Sequence, residues 1–234
     1  FAEYVHSKTS NIILERDHGG PGQGLVDDDG YESLKHDCMY MDIIHIDPWK
    51  KYPNFQEGLQ WTIDMIQYCY NLNENIEYEV GTEEGIRPFE VNEVEDLIIS
   101  LQNKLPIYIF NKIKYIVIQC GTKLSEKKNI GLFNNKKLID MISIATKYNL
   151  IAKEHNGDWI TDNIIIDKSN CGLECINIAP EFGEIETSLL LEYFKQNDIM
   201  FEEFYKIDEP LTYSYSNFIY KNIQVCTRNK CIDA

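Results

Sequence analysis

Short apolar runs alternate along this chain with longer stretches whose apolar positions recur at helical spacing, and each run gives way to a polar or glycine-containing turn. Asn11 to Arg16 (NIILER), Met41 to Ile46 (MDIIHI), Ile76 to Val80, Lys114 to Gln119 (KYIVIQ), Leu150 to Lys153 and Glu174 to Ile178 (ECINI) predict six strands. Between them, Leu59, Ile63, Ile66 and Tyr70 share one face of a helix over Phe55 to Leu72. Further helices are predicted over Val91 to Leu101, over Asn135 to Tyr148, and from near Glu184 to about Gln196.

Strands joined by crossover helices form a parallel sheet covered on both faces, either doubly wound or closed into a barrel. The strand ends favour the barrel. Asp17-His18-Gly19-Gly20, Asp47-Pro48-Trp49, Gly81-Thr82-Glu83, Cys120-Gly121 and Glu154-His155-Asn156-Gly157 each place polar groups after a strand. A functional rim of loops at the C-terminal ends of barrel strands has this pattern, whereas a doubly wound sheet concentrates such residues at one switch point. The fold class is therefore α/β, a (β/α)8 TIM-type barrel, with about six of its units in this chain and the first two expected before Phe1. The barrel is expected to occupy residues 1–198. Residues 199–234, with Tyr205, Tyr213, Tyr215, Phe218 and Tyr220 in an irregular polar context, are expected to be an appendage packed on the barrel or on a partner subunit.

The 234 residues contain no Gly/Ser/Pro-rich stretch or block of like charge that would mark a linker, so one domain is expected. A formal net charge of −16 argues against a nucleic-acid partner, because that contact needs Lys and Arg along the phosphates. It leaves room for a phosphorylated sugar held by a few local cations or backbone amides. Seven Cys without a paired metal-binding spacing read as free thiols of a reducing compartment. No apolar run reaches the roughly 18 residues of a membrane span, and the expected location is cytoplasmic.

The strand-end residues resemble, in chain order, those of the tagatose-bisphosphate aldolase class II accessory (non-catalytic) subunits. The family's Gly-Asp-His-x-Gly-Pro signature looks like Arg16-Asp17-His18-Gly19-Gly20-Pro21 here, and its Ile-His-Leu-Asp strand looks like Ile44-His45-Ile46-Asp47. Its Gly-Thr-Glu and Gln-x-Gly strand ends are similar to Gly81-Thr82-Glu83 and Gln119-Cys120-Gly121. Its His-Ser-Thr-Asp and Val-Gly-Pro elements are similar to His155-Asn156-Gly157-Asp158 and Ile178-Ala179-Pro180. Arg16, Cys120 and Asn156 depart from the family pattern, as does the loop after Glu83, which marks a divergent member.

The resemblance implies class II aldolase chemistry, in which an Asp-His pair at a strand end sets an acid/base carboxylate beside a zinc-binding imidazole. Asp17 and His18 have those types and that adjacency, and the glycines after them allow close approach of a substrate. The alternative is a turn Asp accepting backbone N–H bonds beside a packed His. A catalytic zinc needs three protein ligands. His155 and Glu154 are the candidates beside His18; Glu83 is either a third ligand or, with Asp17, a catalytic group. His45 reads as a packed residue or a support for a ligand, and His6 and His36 as surface. Asp47, Trp49, Gln119, Lys153, Asp158 and Glu181 are candidate substrate-binding groups. Trp49 would supply an apolar face to a sugar ring and Lys153 a cation to a phosphate, although for each of them a packing or capping role is the alternative. Three functions are consistent with these residues: a metal-assisted carbon–carbon lyase on a sugar phosphate, an accessory protein that stabilises a separate aldolase subunit or a homo-oligomer, and a metal-independent sugar epimerase or isomerase.

Overall fold

The computed structural model describes residues 2–9, 11–24, 27–125 and 127–197. The expected appendage lies outside the described residues. Helix α1 (Ala2–Lys8) precedes strand β1 (Glu15–Gly19), α2 (Tyr31–Tyr40), β2 (Ile43–Ile46), α3 (Phe55–Leu72), β3 (Glu77–Val80), α4 (Val91–Lys104) and α5 (Ile107–Phe110). Then come β4 (Ile113–Ile118), the small hairpin β5 (Leu124–Ser125) and β6 (Lys128–Asn129), α6 (Asn135–Lys147), β7 (Ile151–Glu154), α7 (Asp162–Asn170), β8 (Cys175–Ile176) and α8 (Pro180–Gln196).

The six strands outside the hairpin form one parallel sheet in the order β1-β2-β3-β4-β7-β8. Four strand spacings separate β1 from β7, which in a flat sheet is about 19 Å. Yet Lys153 of β7 places its Nζ 2.7 Å from the Glu15 carboxylate of β1. Only a sheet curled toward closure brings those side chains together. The fold is a partial TIM-type barrel, the alternative that the polar strand ends favour.

The two faces of the curl differ. Ile44, Ile46, Tyr78, Val80, Ile116, Ile118 and Ala152 point outward and form the hydrophobic core with Leu59, Ile63 and Ile66 of α3, Val94, Leu97 and Ile98 of α4, and Leu138 and Met141 of α6. The alternate positions, His45, Glu79 and Lys153, point inward, are fully or almost fully buried, and are polar. Helix starts are capped locally: the Asn54 side chain accepts from the Gln56 and Glu57 amides, and Asn134 from the Lys137 amide.

Two features differ from the sequence expectation. Strand β1 begins at Glu15, and the apolar Ile12 and Ile13 before it are exposed. The strand itself is polar because its inward face meets charged groups rather than an oily core. Helices α2 and α7 escape the periodicity because they bury almost nothing apolar: Leu34 and Cys38 with Asp37 in α2, and in α7 only Lys168.

Gly58 in the first turn of α3 lies against the Trp49 ring, where an added Cβ would approach to 2.4 Å. Gly58→Ala is expected to destabilise the fold by roughly 1–3 kcal/mol, the clash outweighing Ala's better helix propensity. The midpoint of urea unfolding measures it, and an unchanged or raised midpoint would show that Trp49 can move aside.

Candidate functional site

At the C-terminal end of β1 the regular alternation breaks. His18 adopts a left-handed backbone (φ 51), and the β1–β2 register is irregular between Arg16 and Gly19. Asp17 and His18, though consecutive, consequently reach the same inward point. They meet His45 of β2 and His155 at the end of β7, and one ligand atom from each of these four side chains lies within 4.8 Å of the others. The ring centroids of His18, His45 and His155 are 4.9, 5.2 and 5.0 Å apart, close to an equilateral triangle.

Each imidazole has one nitrogen anchored and the other turned toward the group. His18 Nδ1 is 2.6 Å from Asp47 Oδ2, leaving Nε2 at 3.4 Å from Asp17 Oδ1 and 3.5 Å from Glu83 Oε2. His45 Nε2 is 3.0 Å from the Gly81 carbonyl, which can only accept, so this nitrogen carries the proton. Its Nδ1 lies 3.3 Å from the His18 amide nitrogen and 3.3 Å from Asp17 Oδ1. His155 Nε2 is 2.5 Å from Glu79 Oε1. Its Nδ1 is buried without a hydrogen-bond partner, 3.8 Å from Asp17 Oδ1 and 3.8 Å from Glu83 Oε2. A buried imidazole nitrogen left without a partner, beside two others whose far nitrogens are held by a carboxylate and a carbonyl, is the arrangement that metal-binding histidines adopt. The donor set could hold a divalent cation.

The supports of the triangle are themselves held. Thr82 donates to Asp47 Oδ2 at 3.0 Å and the Trp49 amide to Asp47 Oδ1 at 3.2 Å. Glu79 is bonded by Lys153, which also reaches both oxygens of Glu15 at 2.8 and 2.7 Å. Burial alone would lower the His18 pKa, but Asp17, Asp47 and Glu83 outweigh it and raise it to about 10. His155 is raised to about 9 in the same way, Glu79 leading. Burial would raise Glu79, but His45 and His155 hold it well below the ordinary carboxylate range. Glu15, pushed up by burial and by Glu79 and only partly relieved by Lys153, rises to about 8.

Several candidate residues sit elsewhere than their expected roles require. Glu154, expected among the metal ligands, points outward from β7: its carboxylate lies 2.6 Å from Lys168 Nζ of α7 and accepts from the Cys120 thiol at 2.7 Å and the Thr122 hydroxyl at 3.2 Å. Strand parity explains this, since Lys153 and His155 face inward and the residue between them cannot. Trp49 is fully buried, edge-on to Phe89 at 5.0 Å and beneath the Arg87 guanidinium, so no sugar ring reaches its face. Gln119 is 1% exposed and ties a loop, accepting from the Phe89 amide and donating to the Thr82 and Arg87 carbonyls. Asp47 supports His18, Lys153 is enclosed by Glu15 and Glu79, Asp158 Oδ1 accepts from the Ala179 and Glu181 amides, and Glu181 accepts from the Trp159 amide at 2.8 Å. Glu83 flanks the triangle as described. Two residues of the cluster have no ligand or catalytic role in the sequence pattern: His45, which reads as packed or as a support for a ligand, and Glu79. The available signal was a His and a Glu at inward positions of otherwise apolar strands.

No protein-family profile and no curated protein matches the sequence. Solved structures do. A protein described as a probable tagatose 6 phosphate kinase from Sinorhizobium meliloti 1021 superposes with a TM-score of 0.61 at 13% identity, over 81% of this chain and 55% of that one. The YdjI aldolase from Escherichia coli K12 gives 0.58 at 14% identity, over 85% and 66%. The fructuronate-tagaturonate epimerase UxaE from Cohnella laeviribosi gives 0.58 at 10% identity, over 93% and 53%. This chain thus spans between about half and two thirds of the length of the structures it matches. At such identities the likeness establishes the fold. No described helix is long and apolar enough to cross a membrane.

Proposed function

We propose that this chain carries the divalent-metal site of a sugar-transforming enzyme whose chemistry is proton transfer beside a carbonyl, in an aldol cleavage or an epimerisation. The observation that carries it is the triangle of buried imidazoles, each held at its far nitrogen, with His155 Nδ1 turned to Asp17 and Glu83 at 3.8 Å from each. His18, His45 and His155 would hold the ion. A cation bound there polarises a substrate carbonyl or hydroxyl oxygen. Asp17, the least buried member of the group, takes or returns the substrate proton, and Glu83, 13% exposed beside the same imidazoles, is the second proton-transfer group. Asp47 and Glu79 orient His18 and His155 for the ligand role. Two carboxylates on one centre suit removal of a proton by one and its return by the other, which favours epimerisation as the second form of the reading. The resemblance to the accessory subunits and the likeness to aldolase and epimerase barrels support a sugar or sugar phosphate as substrate.

Elemental analysis of the purified protein tests the site: about one divalent ion per chain is expected, and its loss in His18→Ala. Protein without metal that gains no thermal stability when zinc, manganese or magnesium is supplied would end this reading.

The pKa shifts set the pH dependence. With His18 raised from 6.5 to about 10 and His155 from 6.5 to about 9, both imidazoles are protonated in the metal-free protein near neutrality. Their raised values stabilise the metal-free fold below pH 6.5, and that stabilisation is lost as pH rises through about 9 to about 10. A cation must displace those protons, so the increase in melting temperature caused by a fixed metal concentration is expected to grow from mildly acidic to alkaline pH. An increase independent of pH would mean that the imidazoles are not the ligands.

A further inference from the structure

Helix α8 follows β8, the strand beside β7, and the connection between them touches the site: Asn177, three positions before Pro180 opens α8, places its Nδ2 3.2 Å from His155 Nε2. The N-terminus of a helix can seat a phosphate, because its unpaired amides and dipole favour an anion. Here the protein's own groups occupy that seat. Asp158 is fully buried, and its Oδ1 accepts from the Ala179 amide at 2.8 Å and the Glu181 amide at 2.9 Å. Between those residues Pro180 has no N–H to offer. Glu181 turns its carboxylate back to the Trp159 amide, adding a second negative charge at the same corner.

The backbone around Asp158 is shaped for this. Asn156 (φ 60) and Trp159 (φ 52) both adopt the left-handed conformation that side-chain-bearing residues rarely enter. Asn129 of the hairpin clamps the same turn from the other side, donating to the Asn156 and Asp158 carbonyls at 2.8 and 3.0 Å. Three cations of the neighbouring segments are engaged with carboxylates: Lys127 with Glu184, Lys168 with Glu154, and Lys153 with Glu15 and Glu79.

We infer that Asp158 is a specificity-determining residue that closes the α8 amides to anions, so that the substrate is uncharged at the end beside His155, a free hydroxymethyl rather than a phosphate ester. The inference narrows the sugar reading above and rests on it for the identity of the substrate. A phosphate dianion arriving there meets two fixed carboxylates and an amide array already bonded.

Inorganic phosphate is the probe, titrated against the metal-supplied full chain and followed by phosphorus NMR or calorimetry. The wild type is expected to bind it more weakly than about 10 mM, and Asp158→Gly at least roughly tenfold more tightly, as freed amides and a removed charge allow. Asp158→Asn keeps an acceptor for both amides and removes the charge alone, and is expected to fall between them. In parallel, solvent-deuterium exchange into dihydroxyacetone and dihydroxyacetone phosphate reads the chemistry, the unphosphorylated compound being favoured by the wild type. Wild-type binding of phosphate in the micromolar range, or faster exchange of the phosphate ester, would overturn the inference even if Asp158→Gly failed to fold. Absence of exchange from both compounds, with phosphate still excluded, would instead count against the sugar-enzyme reading and leave the closed amide corner supported.

Discussion

Lys153→Met is expected to destabilise the protein by about 3–5 kcal/mol, the cost of removing one partner from a buried ionic group. Lys153 is 3% exposed and its Nζ bonds Glu79 of β3 and both oxygens of Glu15 on β1. Met fills the volume of the stem but leaves two carboxylates facing each other inside the curl. The pH dependence makes the measurement specific. With Lys153 present, Glu15 is already pushed up to about 8, so part of the loss is relieved when it takes a proton and donates it to Glu79. The deficit relative to wild type, from urea unfolding curves, should therefore widen from about pH 6 to about pH 9. A deficit below about 1 kcal/mol at every pH would place the pair in effectively aqueous surroundings. The variant also tests positioning, because Glu79 orients His155. Metal affinity should fall by roughly 10–100-fold, as it does when the outer partner of a ligand histidine is disturbed.

Asp17→Asn is expected to reduce turnover by about 10²–10⁴-fold while the chain keeps its metal. Asn has the same shape and can still accept from the imidazole side, but it cannot take a proton. The three histidines remain, so elemental content should stay near that of the wild type, in contrast to His18→Ala. The informative comparison is exchange rate against metal content across the two variants. Loss of both in Asp17→Asn would make Asp17 a required ligand rather than the proton carrier. Normal exchange with normal metal content would remove it from the chemistry and move attention to Glu83.

Much of this site could be read along the chain, and the failures share one cause. Asp17 and His18 lie in the C-terminal half of β1, and His155 and Glu83 just beyond strand ends, where a barrel places chemistry, so their position carried information. Asp47, Trp49 and Gln119 stand at strand ends too, yet the structure uses them to hold His18, fill the outer core and tie a loop. Strand-end position marks a residue as near the rim but does not tell which way its side chain turns. For β7 that direction separates His155, in the triangle, from Glu154, bonded to Lys168 behind the sheet.

His45 shows the converse. An imidazole within an apolar strand reads as packing, and its function depends on the end of another strand meeting it across the curl. Two of its partners in the site, Asp17 and His155, are separated from it by 28 and by 110 positions in the chain. The same holds for Glu15 and Lys153, joined across β1 and β7.

By itself the sequence determined the alternation of strands and helices, the parallel arrangement that alternation requires, and the polar groups gathered at one end of the sheet. These follow from local periodicity and from the chain's need to satisfy its backbone within each element. The tertiary structure alone decided the inward or outward direction of each strand-end side chain, the break at His18 that turns two consecutive residues to one point, and the convergence of three imidazoles from β1, β2 and β7. Those depend on the curvature of the sheet, which sums small twists over many residues, so no stretch of sequence short enough to read as a motif contains it.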